Sequence, residues 1–425
     1  MTARSAPDRA WAWSGAAAFA AVVGTLKVLQ AERLQNQAYD LGIYANVLWN
    51  SAHGRPFWDS LKNVNYLADH FSPGLAALAP LLRVWPSAAA VSVAQSAALA
   101  LGLPAVHRLA WERTGDRAAA AGFALLYALS PLVQSAARSD AHAVAFGVPL
   151  LLWGLELRGR AGTACLAAAG TMQEDLWLCA AAAAWRKGER RAAGAFLAAF
   201  ALALVAMRAL AGGFVPAHWS FYDPAAVAAS LSGLDRPLGL LRLLVPLGGL
   251  PLLAGADGLP LLLPLAYTWL GANPHQGRLD LQYGAPLVPF AFFAAIAGWS
   301  RLKRRPAWTL AVLALISCAW LKPYSTPLPP EKAAAARELF SRVPPDAPVC
   351  ASFNLVPRLA LRRDVCLWVP GRTTGDWWLA LDASPVGFGR GSLESPAAIA
   401  ALAAADPARV AYADQGFLLL SPPGR

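Results

Sequence analysis

The sequence predicts a mainly α-helical, polytopic membrane protein with a small α/β domain at its C-terminal end. Three observations carry that expectation. Hydrophobic residues make up 57% of the 425 positions and charged residues only 14%, a balance too apolar for an ordinary soluble chain of this length. Apolar runs of about 15 to 25 residues recur from residue 11 to 322, each able to cross or nearly cross ~30 Å of hydrocarbon. The basic residues stand in short clusters at the ends of those runs, as the positive-inside bias requires. That placement accounts for the net charge of +11. No basic-aromatic surface segment accompanies the clusters, so no nucleic-acid partner is expected.

Starting from a cytoplasmic N-terminus with Arg4 and Arg9, the first span runs over 11–30. It is long and no clean small-x-small site follows it, so it reads as retained and not as a cleaved signal peptide. It delivers a polar, aromatic outer loop, 31–73, and residues 74–85 are too short to span and read as interfacial. Spans follow at 88–107, with Arg108, Arg113 and Arg117 at the inner end, at 118–136, and at 143–157, which ends at Arg158 and Arg160. Residues 161–185 have basic clusters on both sides, with Arg186, Lys187, Arg190 and Arg191 at the far end. A single span would separate those ends, so two short helices are expected, with Gln173-Glu174-Asp175 near the hairpin tip. Acids inside a membrane are costly and should face a wet cavity or a partner. Further spans at 192–213, 238–254, 258–272, 284–300 and 307–322 bring the count to about nine plus the re-entrant-like hairpin. Arg301, Lys303, Arg304 and Arg305 mark the inner side, whereas the turn Gly255-Ala256-Asp257-Gly258 has no basic residue to fix its side.

These spans make 1–322 one transmembrane domain. Residues 323–330, with four prolines, form a linker. Residues 331–425 read as an α/β domain, outside by parity, of a multi-pass inner (plasma) membrane protein. A helix at 331–342 precedes strand-like runs at 348–353, 364–369, 377–382, 409–413 and 416–420. Cys165, Cys179 and Cys318 sit in apolar segments as filler. Cys350 and Cys366 fall on two of those runs, and a short helix between them would make the strands parallel neighbours. A disulfide there suits an oxidising compartment; two buried free thiols are the alternative.

The threading puts His53, His70, His142, His218 and His275, five of the six histidines, on the outer side with the acidic stretches around Asp40 and Asp69. Asp40, between Tyr39 and Tyr44, can serve as a general base or hold a cation; the plain alternative is an N-cap. Asp69-His70 can be a ligand pair or a proton-transfer pair, or Asp69 can cap the helix that Pro73 begins. Glu174 and Asp175 can line a cavity floor or pair with an arginine. Arg278 suits a phosphate, with His275 and Tyr283 beside it, or the loop is simply a solvated interface. His142 and His218 read more as interfacial than catalytic. No cofactor is certain, and a divalent cation is a candidate. Neither a Walker loop, a dinucleotide fingerprint, a His-Glu-x-x-His motif nor a Gly-x-Ser-x-Gly elbow is present, which excludes a self-contained ATPase and argues against the common hydrolases and NAD enzymes.

Asp40-Leu41-Gly42-Ile43-Tyr44, Leu48-Trp49-Asn50, Gly54, Pro56-Phe57 and His70-Phe71-Ser72-Pro73 together resemble the bacterial and archaeal membrane proteins grouped as domain of unknown function 2079. Gln95, Glu174-Asp175, and Gln282-Tyr283 through Pro289-Phe290 fit the same pattern, over nearly the whole chain. Gln173 departs from it, standing where a lysine is expected. That family is similar in architecture to C-type glycosyltransferases. The resemblance implies a multi-span enzyme with its key acid in the first outer loop, here Asp40, and a sugar taken from a polyprenyl-phosphate carrier. The expected reaction is inverting transfer to an extracytoplasmic glycan, lipid or protein. Asp40 would deprotonate or orient the acceptor, and Arg278 and His70 would hold the lipid phosphate; Asp69, Tyr44, Glu174, Asp175, His142, His275 and Tyr283 complete the candidate site. The rival reading is a non-enzymatic transporter or receptor, disfavoured because the hairpin has no counterpart in a second repeat.

Overall fold

The computed structural model describes residues 10–304, 306–369, 375–383 and 396–423. Arg4, Arg9 and Arg305, which helped to orient the threading, lie outside the described residues. The chain divides into two compact units. One comprises Met1–Gly24, Leu67–Gly74 and Ala94–Lys322; the other comprises Thr25–Tyr66, Leu75–Val93 and Pro323–Arg425. Most of the first outer loop, expected with the 1–322 domain, therefore groups with the tail.

The first unit is helical. Among the described residues, Ala10–Glu32, Ala88–Thr114 and Arg190–Leu210 are long and apolar enough to cross a membrane, and the pair Arg117–Leu129 and Pro131–Arg138, bent by 40°, makes a fourth if it is one span. The other expected spans are shorter or broken. The run at 238–254 is a helix only over Asp235–Leu244. Gly248 and Gly249 then take φ of +60° and +67°, which L side chains rarely adopt, and a 3-10 turn, Leu250–Leu253, follows. Apolar composition sets the length of a greasy run, but these glycines decide where its helix stops. Leu197, Leu202 and Val205 on Arg190–Leu210 are more than half exposed, an arrangement costly in water and suited to lipid.

The expected hairpin forms. Gly159–Gly170 and Leu176–Arg186 are antiparallel neighbours joined by the turn 171–175, which carries both acids. At the other end of Leu176–Arg186, the turn Gly255–Gly258 places Asp257 against Arg113, Arg186 and Arg301. The turn that lacks a basic neighbour in sequence has three in space, all from run ends expected to share one side.

In the second unit the described residues of the tail form a sheet of five strands: β3 (Val349–Ala351), β4 (Val365–Leu367), β5 (Trp378–Asp382), β6 (Val410–Asp414) and β7 (Phe417–Leu420), after the small loop hairpin β1 (Trp58–Asp59) and β2 (Val64–Asn65). Their order is β4-β3-β5-β7-β6, with β3 parallel to β4 and β5, and β7 antiparallel to β5 and β6. Val349, Ala351, Val365 and Leu367 face one core with Ala335 and Leu339 of the helix Pro330–Arg342, while Cys350, Cys366, Leu379 and Leu418 face a second with Ile399. This is the period-2 alternation of a sheet covered on both faces. A short helix, Val356–Leu359, makes the crossover. Cys350 pairs in register with Cys366, and the two are disulfide-bonded, with Cα atoms 4.4 Å apart. The part of the first loop that belongs to this unit packs on the same sheet. Asn46 donates to the carbonyls of Ala360 and Arg362 at 3.0 and 2.9 Å, and Ser60 Oγ exchanges hydrogen bonds with the Val365 backbone.

Candidate functional site

Three segments of the first unit meet at the hairpin tip: the loop 67–74, the turn 171–175 and the 3-10 turn Ala217–Tyr222. The tip is tied down by backbone. The Gly74 N–H donates to the Thr171 carbonyl at 2.8 Å, and a Cβ at Gly74 would lie 2.6 Å from Thr171 Oγ1 and 2.7 Å from the Met172 methyl. Only glycine permits that approach. The turn runs directly into Leu176–Arg186, since the N–H groups of Leu176 and Trp177 donate to the carbonyls of Gln173 and Glu174. Both acids thus sit at the N-terminal end of a helix, where the aligned peptide dipoles favour negative charge.

Glu174 is buried and has two oriented partners. Its Oε1 lies 2.9 Å from Nδ1 of His70, and its Oε2 accepts the Phe71 N–H at 2.9 Å. The His70 ring stacks on His218 with centroids 4.3 Å apart and planes 10° from parallel. Behind His218, Nδ1 lies 3.8 Å from Oδ1 of the buried Asp69, and the Trp219 ring meets the imidazole edge-on. One donor atom from each of His70, Glu174 and His218 falls within 4.8 Å of the others. Asp175 faces elsewhere: its Oδ2 accepts from the Tyr267 hydroxyl at 2.9 Å. The arrangement offers two imidazoles and a carboxylate, a donor set suited to a borderline divalent ion or to an anionic oxygen held by protonated imidazoles.

The remaining candidates are distributed more widely than the threading implied. His275 lies 3.8 Å from Asp280, which also pairs with Arg242 at 2.9 Å and accepts from Ser135 at 2.9 Å. Burial pushes the Asp280 carboxyl up, but His275, Arg242, the Leu281 N–H and Ser135 together hold it well below the usual carboxylate range. Arg278, expected to hold phosphate, is half-exposed and pairs with Asp235 at 2.5 Å. Tyr283 Oη accepts from Asn273 Nδ2 at 3.3 Å. His142 donates its backbone N–H to Gln95 Oε1 at 2.7 Å, and its Nδ1 lies 3.0 Å from the Asp140 carbonyl. His53 stacks on Trp49 in the second unit. Of the histidines expected on the outer side, His70 and His218 come together.

Two more candidates belong to the second unit. Asp40 is half-buried inside a single π-helical turn, Ala38–Gly42, and not at a helix cap; such π-turns recur at functional positions. Tyr44 is buried, its hydroxyl receives the Tyr66 hydroxyl at 2.9 Å, and the rings meet edge-to-face. That is a core position, with the hydroxyl paired inside the protein. Tyr267 and Asp280 are contacts that sequence reasoning missed, and His218 is one it read as interfacial. The only signal for His218 was its place in a wet outer segment beside Trp219.

Comparison with known proteins agrees with the architecture. The family model for "Predicted membrane protein (DUF2079)" matches residues 30–208 and 229–373, more than half of the chain. Among solved structures, ArnT from Cupriavidus metallidurans bound to undecaprenyl phosphate covers 95% of this chain over 97% of its own, with a TM-score of 0.58 and 12% identity. The same enzyme in the apo state covers 97% over 98% of its own, with a TM-score of 0.57 and 12% identity. No curated protein matches. At that identity the likeness is one of fold, and the family follows from the sequence itself: the chain belongs to the DUF2079 membrane proteins and is built on an ArnT-like fold.

Proposed function

We propose that this protein is a C-type glycosyltransferase that moves a sugar from a polyprenyl-phosphate carrier to an acceptor outside the plasma membrane. The observation that carries the reading is the ArnT-like fold along 95% of the chain, since ArnT is seen there holding undecaprenyl phosphate. The cluster of two imidazoles and a carboxylate at the hairpin tip supports it. In an inverting transfer the acceptor oxygen attacks the anomeric carbon as the bond to the phosphate oxygen breaks. The electron pair leaves on the lipid phosphate, and the acceptor proton passes to a base. Basic groups or a cation near that phosphate lower the barrier by stabilising charge that grows in the transition state. His70 and His218 are the proposed phosphate-side groups, and Asp40 is retained as the proposed base. Arg278, already paired with Asp235, is given no part.

The test begins with a deletion strain. Mass spectrometry of its lipid extracts and surface glycans should show a polyprenyl-phosphate sugar accumulating and one glycan modification missing, both restored by the wild-type gene. Asp40→Asn should express and fold like wild type yet fail to restore the modification. Unchanged lipids and glycans in the deletion strain would overturn the reading, and restoration by Asp40→Asn would remove Asp40 as the base.

A further inference from the structure

We infer that the crossover between β3 and β4 in the tail, residues 353–363, is the positioning element for Asp40, with Gly42, Asn46 and Asn50 as the residues that seat it. All of these lie in the second unit. Asp40 stands in the π-helical turn Ala38–Gly42, where the Gly42 N–H donates to the Gln37 carbonyl, five residues back, at 3.0 Å. A wide turn of this kind is rare, so packing from outside must hold its shape. The helix Ile43–Ala52 continues from it. Gly42, Asn46 and Asn50 are spaced four apart and share one face, and that face meets the crossover. A Cβ at Gly42 would lie 2.8 Å from Val356 Cγ1 and 3.8 Å from the Pro357 nitrogen. The fully buried Asn46 donates to the carbonyls of Ala360 and Arg362, and Asn50 donates to that of Arg363 at 3.4 Å.

The surroundings argue in the same direction. On the other side of Asp40, the Tyr39 ring meets the Phe353 ring edge-on, with centroids 5.8 Å apart. The crossover is itself fixed. Its neighbouring strands are tied together by the Cys350–Cys366 disulfide, and Val356 and Leu359 are buried in the core that the sheet shares with the helix Pro330–Arg342. Gly42 has an ordinary helical φ of −61°, so its neighbour requires the glycine and its backbone does not. Val356 is β-branched and cannot readily swing aside. A base works only where it is held in place, and a misplacement of about 1 Å costs roughly 100-fold. The tail is thereby part of the transfer machinery and not a separate ligand-binding module. That consequence rests on the proposed role of Asp40 as the base, whereas the seat itself does not.

The experiment swaps bulk across the contact in the full chain. Amide hydrogen exchange over residues 38–43 is followed by mass spectrometry on protein in detergent. Transfer is read in the deletion strain as the rate at which the missing glycan modification returns, per folded molecule. Gly42→Ala should push the turn off the crossover and Val356→Ala should leave it unsupported, so each should speed exchange over 38–43 about tenfold or more. Gly42→Ala/Val356→Ala refills the gap and should bring exchange back to within about threefold of wild type, because the two residues are in contact and their effects are coupled. Transfer should follow the same pattern, falling roughly 10- to 100-fold in each single variant and recovering in the double. Ile399→Val lies in the core on the other face of the sheet and should change neither reading, which separates the seat from general loosening of the tail. Unchanged exchange in the single variants, or a double variant exchanging as fast as Gly42→Ala, overturns the seat. If Gly42→Ala fails to fold, Val356→Ala decides by the same exchange reading. Exchange that follows the swap while transfer stays at the wild-type rate overturns the catalytic consequence and removes Asp40 as the base. Unchanged glycans in the deletion strain overturn the transferase reading alone, because exchange is measured without any sugar donor.

Discussion

Two acid centres of the helical unit, Glu174 and Asp257, use the same carboxylate for opposite ends. Asp257 is met by Arg113 at 3.2 Å, by Arg186, and by Arg301 at 3.6 Å. Arg113 and Arg186 also lie over the Phe293 ring, 4.7 and 6.0 Å from its centroid. Guanidinium groups stay charged at any physiological pH, so this centre is permanently saturated and can only hold helix ends together. Glu174 is met instead by two imidazoles and one backbone N–H. Imidazoles change charge near neutrality, accept as well as donate, and bind metals. A carboxylate surrounded by arginine is a fastener, whereas one surrounded by histidine retains chemical freedom.

The sharpest way to break the comparison is to ask whether the two centres face opposite compartments. They sit at opposite ends of Leu176–Arg186, an 11-residue helix, about 16 Å long at 1.5 Å per residue. Ser220, beside His218, and Ala256, beside Asp257, are both exposed. With the free cysteines Cys165, Cys179 and Cys318 replaced, Ser220→Cys should react with a membrane-impermeant maleimide on intact cells, and Ala256→Cys only after permeabilisation. Equal labelling of both would place the two centres on one side and remove the outer placement that the proposed function needs for the hairpin tip.

How far the sequence made these centres legible follows from what each depends on. Period and composition are local, so the helix Pro330–Arg342, the five tail strands and the hairpin with its acids lie within a few residues of expectation. Asp257 was unreadable because its three partners are 44, 71 and 144 positions away. His218 was undervalued for the same reason: its meaning comes from a loop near residue 70 and a turn near residue 174. Tyr44 stands near an acid in sequence, and its hydroxyl partner lies 22 positions away in a buried pair, which local pattern does not reveal. The 238–254 run misled because composition continues through Gly248-Gly249 while the helix does not.

The next largest effect should separate the centres by activity. Given the proposed transferase function, Glu174→Gln should lower the rate about 100-fold or more, the scale of removing an electrostatic stabiliser. The accompanying stability loss should be about 1 kcal/mol or less, since the amide keeps the shape and much of the hydrogen bonding. Asp257→Asn should do the reverse. Activity per folded molecule should stay unchanged, while three arginines lose their counter-charge. A fully buried pair broken in this way costs roughly 3–5 kcal/mol, but the arginines are 33–48% exposed and solvent screens them. About 1–3 kcal/mol is therefore expected. Burial alone would raise the Asp257 pKa, yet hydrogen bonds from Arg113 and Arg186 hold it below the usual carboxylate range. A depressed folded-state value means its contribution is complete above about pH 4, the unfolded-state value, and fades as pH falls through the folded-state value. Wild-type and Asp257→Asn stabilities should thus differ by a constant amount from pH 8 to 5 and converge under stronger acid. Curves that stay parallel into strong acid would show that Asp257 is not the charged member of the cluster.

The smallest effect tests whether the distinction holds between adjacent residues. Asp175 follows Glu174 in sequence, but its Oδ2 accepts from Tyr267 of the helix Leu259–Leu270 at 2.9 Å, away from the histidines. By the logic of the comparison it is a fastener, tying the hairpin to a neighbouring helix with a neutral donor where Asp257 uses cations. Tyr267→Phe deletes only that hydroxyl and leaves a largely buried carboxylate oxygen without its donor, a loss of about 1–2 kcal/mol. Transfer should fall by no more than about threefold, less than 1 kcal/mol of barrier. If Tyr267→Phe instead matched Glu174→Gln in lost activity while remaining folded, the adjacent acids would act as one unit, and Asp175 would belong with the histidine centre.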